Sequence, residues 1–202
     1  MARKAKRSTS RSKKPAKRRA PARKTAPRKA AARKAPAKKS AKSAARKPAP
    51  PHGYRSVTPY LVLRGAAQAI EFYKKALGAT ERMRMPTPDG ARLMHAEIQV
   101  GDSVIMMSDE FPEMNTGARA PDALGATTGS IYLYRADIDD FFNRAVAAGM
   151  TVLMPLADMF WGDRYGKLRD PFGHQWSVGK QVRKLTPAQI QEAAKEAFAN
   201  KP

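Results

Sequence analysis

A strand followed by an amphipathic helix and a glycine occurs twice in this chain. In Ser56 to Thr80, SVTPYLVLRGAAQAIEFYKKALGAT, the stretch Val57 to Leu63 is β-branched and aliphatic and predicts a strand. Ala66, Ile70, Tyr73 and Leu77 then recur at helical spacing, and Gly78 supplies the left-handed stop. Ser130 to Thr151, SIYLYRADIDDFFNRAVAAGMT, repeats the order, with Ile138, Phe141, Phe142 and Ala145 on one helix face and Gly149 at the stop. The two stops are 71 residues apart, whereas Thr58 and Ser130 are 72 apart, so the second strand–helix connection is one residue shorter. A duplicated supersecondary unit restricts the possible folds more than any other feature of the chain.

Each copy continues the same way. After the first helix, Thr80 to Met85 reads as a strand and Pro86 to Gly90 as a turn. Leu93 to Val100 alternates, with Met94, Ala96 and Ile98 on one side and His95, Glu97 and Gln99 on the other. Gly101-Asp102 turns the chain into a strand from Ser103 to Ser108. A glycine- and proline-bearing loop, Asp109 to Gly129, joins the units. The second unit has a strand at Ser130–Tyr134, a helix at Asp137–Ala148 and a strand at Thr151–Leu156. An aromatic loop at 159–166, a strand at Arg164–Arg169, the turn Asp170–Gly173 and a strand at His174–Gly179 complete it. The fold class is α+β, two tandem β-α-β-β-β units. A last helix is predicted from Pro187 to Ala199, with Thr186 and Gln189 forming a capping box.

Composition divides the chain. Residues 2–50 hold 21 Lys and Arg and no acid, whereas the remainder holds 18 basic and 17 acidic residues. The net charge of +22 is therefore almost wholly the tail's. With nothing to bury and strong self-repulsion, residues 1–53 are expected to be disordered; 54–182 is the expected domain and 183–202 carries the terminal helix. The tail's Lys/Ala/Pro texture resembles, in composition, the tails of linker histones and bacterial histone-like proteins. It implies non-specific nucleic-acid binding through residues 1–50, against the plain alternative of a solvated basic extension. The absence of cysteine excludes disulfides, thiolate metal sites and cysteine nucleophiles. No apolar run approaches a membrane span, and the basic N-terminus has no apolar segment of the signal-peptide kind. A transit peptide would need an amphipathic face that these residues cannot make. The expected location is the cytoplasm, with the tail directing the domain to the nucleoid.

The paired units resemble the vicinal oxygen chelate superfamily of glyoxalases, bleomycin-resistance proteins and dioxygenases, and within it the PhnB-like branch. The phrases that carry the resemblance are TPYLVL at 58–63, AIEFYKKALGA at 69–79, MHAEIQVGDSVIMMSDE at 94–110, FWGDRYG at 160–166 and DPFGHQWSV at 170–178. The resemblance implies a cup-shaped mixed sheet with helices outside and a ligand inside, and a homodimer. Strand alternation sends Leu61, Leu63, Ile105, Met107, Ile131, Leu133, Trp176 and Val178 toward the helices. Thr58, Tyr60, His95, Glu97, Met106, Ser130, Tyr132 and Ser177 then face the cup, provided no bulge slips the register.

Metal-dependent relatives carry ligands on the first and last strand of each unit. The matching positions here are Thr58, Met106, Ser130 and Ser177. Neutral hydroxyls and a thioether hold a hard divalent cation feebly, so no metal or other cofactor is expected. His95 and Glu97, two residues apart, are either a polar pair on a wet strand, a ligand contact, an acid–base pair or two displaced metal ligands. Trp161, Arg164 and Tyr165 form either the lip of the cup, with Arg164 as a forked anion donor, or a packed loop with Arg164 paired to Asp163 or Asp170. His174 reads as structural, and Ser130 and Ser177 lack a base to make either a nucleophile. The favoured function is a metal-free small-molecule-binding protein tethered to nucleic acid. The alternative is a lyase or oxidoreductase of the glyoxalase/dioxygenase kind working through His95 and Glu97.

Overall fold

The structure, a computed structural model, describes residues 50–51 and 53–199. The basic tail expected over 1–53 lies almost wholly outside the described residues. Two four-stranded mixed sheets make up the fold. The first contains β1 (Tyr60–Leu63), β2 (Thr80–Pro86), β3 (Leu93–Val100) and β4 (Ser103–Asp109), in the order β1-β4-β3-β2. The second contains β5 (Ser130–Tyr134), β6 (Thr151–Asp158), β7 (Asp163–Arg169) and β8 (Gln175–Gln181), in the order β5-β8-β7-β6. In each sheet the first strand runs parallel to the last, and the remaining pairs are antiparallel. The helix α1 (Ala66–Leu77) crosses from β1 to β2, and α3 (Ile138–Ala147) crosses from β5 to β6.

The pairing makes the repeat explicit. Tyr60 pairs with Met106, and Tyr132 pairs with Ser177. The first-strand positions are thus 72 apart and the last-strand positions 71 apart, the offsets read in the sequence. The joining loop is less bare than expected: it holds a 3-10 turn at Pro112–Met114 and a four-residue helix, α2 (Pro121–Leu124).

One core spans both units. Ile70 and Tyr73 of α1, Phe141 and Phe142 of α3, and Leu63, Met107, Leu168, Trp176 and Val178 of the sheets are buried in it, and Ile131 and Leu133 pack against it. Leu168 apart, these strand residues are the ones that period two sends toward the helices. Asp170 ties the units together from within. Its Oδ2 accepts the Tyr73 hydroxyl at 2.7 Å and the Trp176 indole N–H at 2.8 Å, and its Oδ1 accepts the amides of Phe172 and His174. A buried carboxylate needs such donors to offset its desolvation.

The start of α1 is held from a distance. Gly65 takes a left-handed φ of 89°, and no residue of the helix's own turn caps it. Instead Asp109 at the end of β4 accepts the amides of Gly65 and Ala66 on one oxygen and that of Leu93 on the other. A carboxylate is favoured at a helix N-terminus, where free N–H groups and the dipole coincide. The last helix, α4 (Pro187–Ala199), opens with the Thr186–Gln189 capping box that the sequence predicts.

Candidate functional site

With α1 and α3 covering one face of the sheets, the opposite face is open. It carries an unusual load of exposed apolar side chains: Tyr60 (49% exposed), Met83, Met85, Tyr132 and Tyr134 (71% exposed). Strand edges β1 and β5 border one groove there without pairing, and His174, in the turn before β8, donates from Nε2 to Val62 O of β1 at 3.1 Å. His174 is thus structural. A groove of about 500 Å³ along this seam is lined by Val57, Pro59, Tyr60, Ser130 and Tyr132, so Tyr60 of one unit and Ser130 of the other share a site.

On the first sheet the open face carries a hydrogen-bonded set. Tyr60 Oη lies 3.4 Å from His95 Nδ1, and His95 Nε2 lies 3.3 Å from Glu97 Oε1. The carboxylate can only accept, so Nε2 carries the proton and Nδ1 accepts from Tyr60. Tyr54 donates to the same Glu97 oxygen at 2.7 Å, and Arg82 lies 3.8 Å from the other. Burial pushes the Glu97 carboxyl up, but the Tyr54 and His95 hydrogen bonds and the Arg82 charge outweigh it, and the net shift is downward. The Tyr54 phenol is pushed up in turn, foremost by its bond to Glu97. Glu97 Oε1 is therefore taken by two donors, and a carboxylate held below its ordinary range is a weak base.

Nothing in the local sequence marks Tyr54 or Arg82 for this face. Arg82 reaches the open face through a β-bulge: Glu81 pairs with Ile98 and Met83 with Glu97, so Arg82 is the extra residue. Its guanidinium also lies over the Tyr54 ring at 5.0 Å.

The second sheet carries hydroxyls and aromatic rings. Ser130 Oγ lies 2.9 Å from Ser177 Oγ, and Ser177 Oγ lies 3.0 Å from Tyr165 Oη. Tyr132 leans across β8 toward Asp163, at 3.4 Å, with its ring above Gly179. It stacks on Tyr165 at 5.8 Å and meets Tyr134 at 4.8 Å, and Trp161 closes the row edge-on to Tyr165. Burial foremost, with the charges of Tyr134 and Asp163, pushes the Tyr132 phenol up, so it stays protonated. Gly179 is what permits this packing, since a Cβ there would sit 2.1 Å from the Tyr132 hydroxyl. Asp163, Tyr165 and Lys167 alternate along β7 on this face, and period two applied to that strand would have found them.

Two expected site residues lie elsewhere. Thr58 precedes β1, and its hydroxyl donates to Arg55 O. Arg164 faces α3, where it forks onto Asp139 and also pairs with Asp158. Because Gly166 and Leu168 face the core, Arg164 shares their side, and its two carboxylates are neither of those expected. Tyr60, His95 and Glu97 come together on one sheet, and Ser130, Tyr132, Ser177 and Trp161 on the other. Met106 pairs between Tyr60 and Glu97.

The position where the resemblance places a metal does not fit one here. Thr58 is off the strand, Met106 is a thioether, and the Ser130 and Ser177 hydroxyls are engaged with one another. Among the described residues no three His, Cys, Asp or Glu gather into a metal-binding group, and no helix is long and apolar enough to cross a membrane.

Comparison with known proteins agrees with this architecture. An uncharacterized protein of Mycobacterium bovis is 45% identical over 139 residues, covering 68% of this chain and 91% of its own length. The solved structure of TioX from Micromonospora sp. ML1 superposes with a TM-score of 0.52 at 23% identity, covering 62% of this chain and 98% of TioX. The PhnB protein of Bacillus cereus is also similar, with a TM-score of 0.47 at 20% identity over 62% of this chain and 97% of its own. The family model for the glyoxalase, bleomycin-resistance protein and dioxygenase superfamily matches residues 59–178, and to that superfamily this chain belongs.

Proposed function

We propose that the protein is a metal-free, small-molecule-binding member of this superfamily, of the PhnB-like kind, and that its basic tail attaches it to nucleic acid. The observation that carries the binding reading is the second sheet's open face. There the serines at the usual ligand positions bond to each other and to Tyr165, beside a row of tyrosines and Trp161. A few convergent hydroxyls bordered by aromatic surface suit a flat, partly apolar molecule. The enzyme alternative through His95 and Glu97 is less well supported, because Glu97 is already bonded by Tyr54 and His95 and its affinity for a proton is lowered. A second copy covering the exposed Met83 and Met85 on edge strand β2 would leave the tyrosine row to the ligand, so the binding form is a homodimer. The protein works in the cytoplasm, held at the nucleoid by the tail.

The test is a thermal-shift and calorimetric titration of the full chain with a neutral aromatic amide, 2-naphthamide, together with metal analysis after dialysis. Saturable binding that weakens in Tyr132→Ala, with no stoichiometric metal, is expected. Stoichiometric zinc, nickel or iron that is lost on Ser130→Ala or Ser177→Ala would overturn the reading. Metal lost instead on His95→Ala and Glu97→Ala would put the enzyme alternative in its place.

A further inference from the structure

We infer that the site selects a carboxylate anion carried on a flat aromatic or conjugated body, and that Lys167 is the residue that selects it. This rests on the small-molecule reading above and narrows it to a chemical class.

Lys167 pairs with Ser177 across the β7–β8 ladder, so its side chain leaves the sheet on the open face at the level of the serines. It is half-buried, and among the described residues it has no ion pair, hydrogen bond or ring contact. Of the other long cations on these strands, Arg164 pairs with Asp139 and Asp158, and Arg169 and Lys180 stand exposed to water, so Lys167 is the half-buried one without a partner among the described residues. The open-face carboxylate on the same strand, Asp163, stands four residues away and is engaged by Tyr132. Four residues along a strand are about 13 Å, too far for a lysine bond. A lysine without a partner beside three hydroxyls is a site with a positive charge to be matched.

The hydroxyls can supply the rest. In one polarity Tyr165 donates to Ser177, Ser177 to Ser130, and Ser130 to Gln175 O at 3.3 Å. In the other, Ser130 donates to Ser177 and Ser177 to Tyr165, and the Tyr165 proton is free for an acceptor outside the chain. The reversal gives up only the 3.3 Å bond to Gln175, the longest of the three. An anion near Lys167 favours the second polarity, because it takes both the ammonium and the phenol proton. Tyr165 and Lys167 are alternate residues of one strand face, about 7 Å apart at the backbone, a span their side chains close easily. The Tyr132 and Trp161 rings, which flank Tyr165, then meet the body of the ligand.

The test uses the full chain, with 2-naphthoate and neutral 2-naphthamide titrated by calorimetry at pH 7. Naphthoate should bind about tenfold more tightly, the usual worth of one charge-assisted hydrogen bond. Lys167→Met should remove that preference, weakening naphthoate far more than naphthamide, and Lys167→Arg should restore it. The basic tail is present in every variant, so its own attraction for naphthoate cancels when the preference in each variant is taken relative to that of the native protein. Equal binding of the two probes to the native protein, or a preference that survives Lys167→Met, overturns the assignment while the small-molecule reading stands. Failure of both probes to bind removes the two together.

Discussion

Adding one methyl group at Gly179 should separate binding from stability. A Cβ built at Gly179 lies 2.1 Å from the Tyr132 hydroxyl and 2.8 Å from two of its ring carbons. Ordinary contact begins near 3.4 Å, so the tip of Tyr132 must retreat by about 1.3 Å, the difference of the two distances. That atom is the far end of an exposed side chain, so the displacement strains little of the core. The stability loss in Gly179→Ala should stay at or below about 1 kcal/mol, the low end for overpacking. The ring, however, shifts in the row it shares with Tyr165 and Tyr134. The ring then no longer meets the ligand as it did, and one aromatic contact contributes about 0.5–1.5 kcal/mol, so affinity for 2-naphthamide should fall by about that much, or roughly two- to tenfold. Gly166 is the control on the neighbouring strand. Its added Cβ would meet Phe142 at 2.7 Å, Leu156 at 3.0 Å and the backbone oxygen of Met154 at 3.3 Å, all on the helix side. Gly166→Ala should therefore destabilise by about 1–3 kcal/mol in urea and leave affinity unchanged. If Gly179→Ala binds naphthamide as tightly as the native protein does, the tyrosine row is not the binding surface.

Asp170→Asn should destabilise by about 1–3 kcal/mol in urea, because whichever way the amide turns, its NH2 faces a buried donor it cannot satisfy. A loss below about 0.5 kcal/mol would mean that the network is not structural. Glu81 gives a pH signature: hydrogen bonds from Arg84 and then Lys74 hold its carboxyl at about 2. A depressed folded-state value stabilises above the unfolded value of about 4.5 and is lost as pH falls from there toward about 2. Glu81→Gln should flatten part of the acid limb of a stability–pH curve, and an unchanged limb would refute the pairing. For the tail, a salt titration on unrelated duplexes should give a slope of about −9 if ten charges engage phosphates. A slope shallower than about −3, or equal binding by residues 54–202, would leave residues 1–50 without that role.

The sequence by itself determined the architecture. The offsets of 71 and 72 residues return as the pairings of Tyr132 with Ser177 and Tyr60 with Met106. Helix stops, the Thr186 capping box and the core side of each strand are written in local periodicity, and locally encoded features are legible from one chain. Part of the open face was legible for the same reason, since Tyr60, His95, Glu97, Ser130, Tyr132 and Ser177 follow period two. Tertiary structure decided what these residues do. Arg82 reaches Glu97 only because a bulge adds one residue to β2, and nothing in TERMRMP marks it. Arg164 went to Asp139 because the helix that follows β5 packs over that strand face. The Ser130–Ser177–Tyr165 chain, with Lys167 beside it, exists because β5 pairs with β8 across 47 residues of sequence and sets its side chains in one row with those of the β7–β8 hairpin. Periodicity assigns a residue to a face, but its partners across the ladder are fixed only when long-range pairing sets the register.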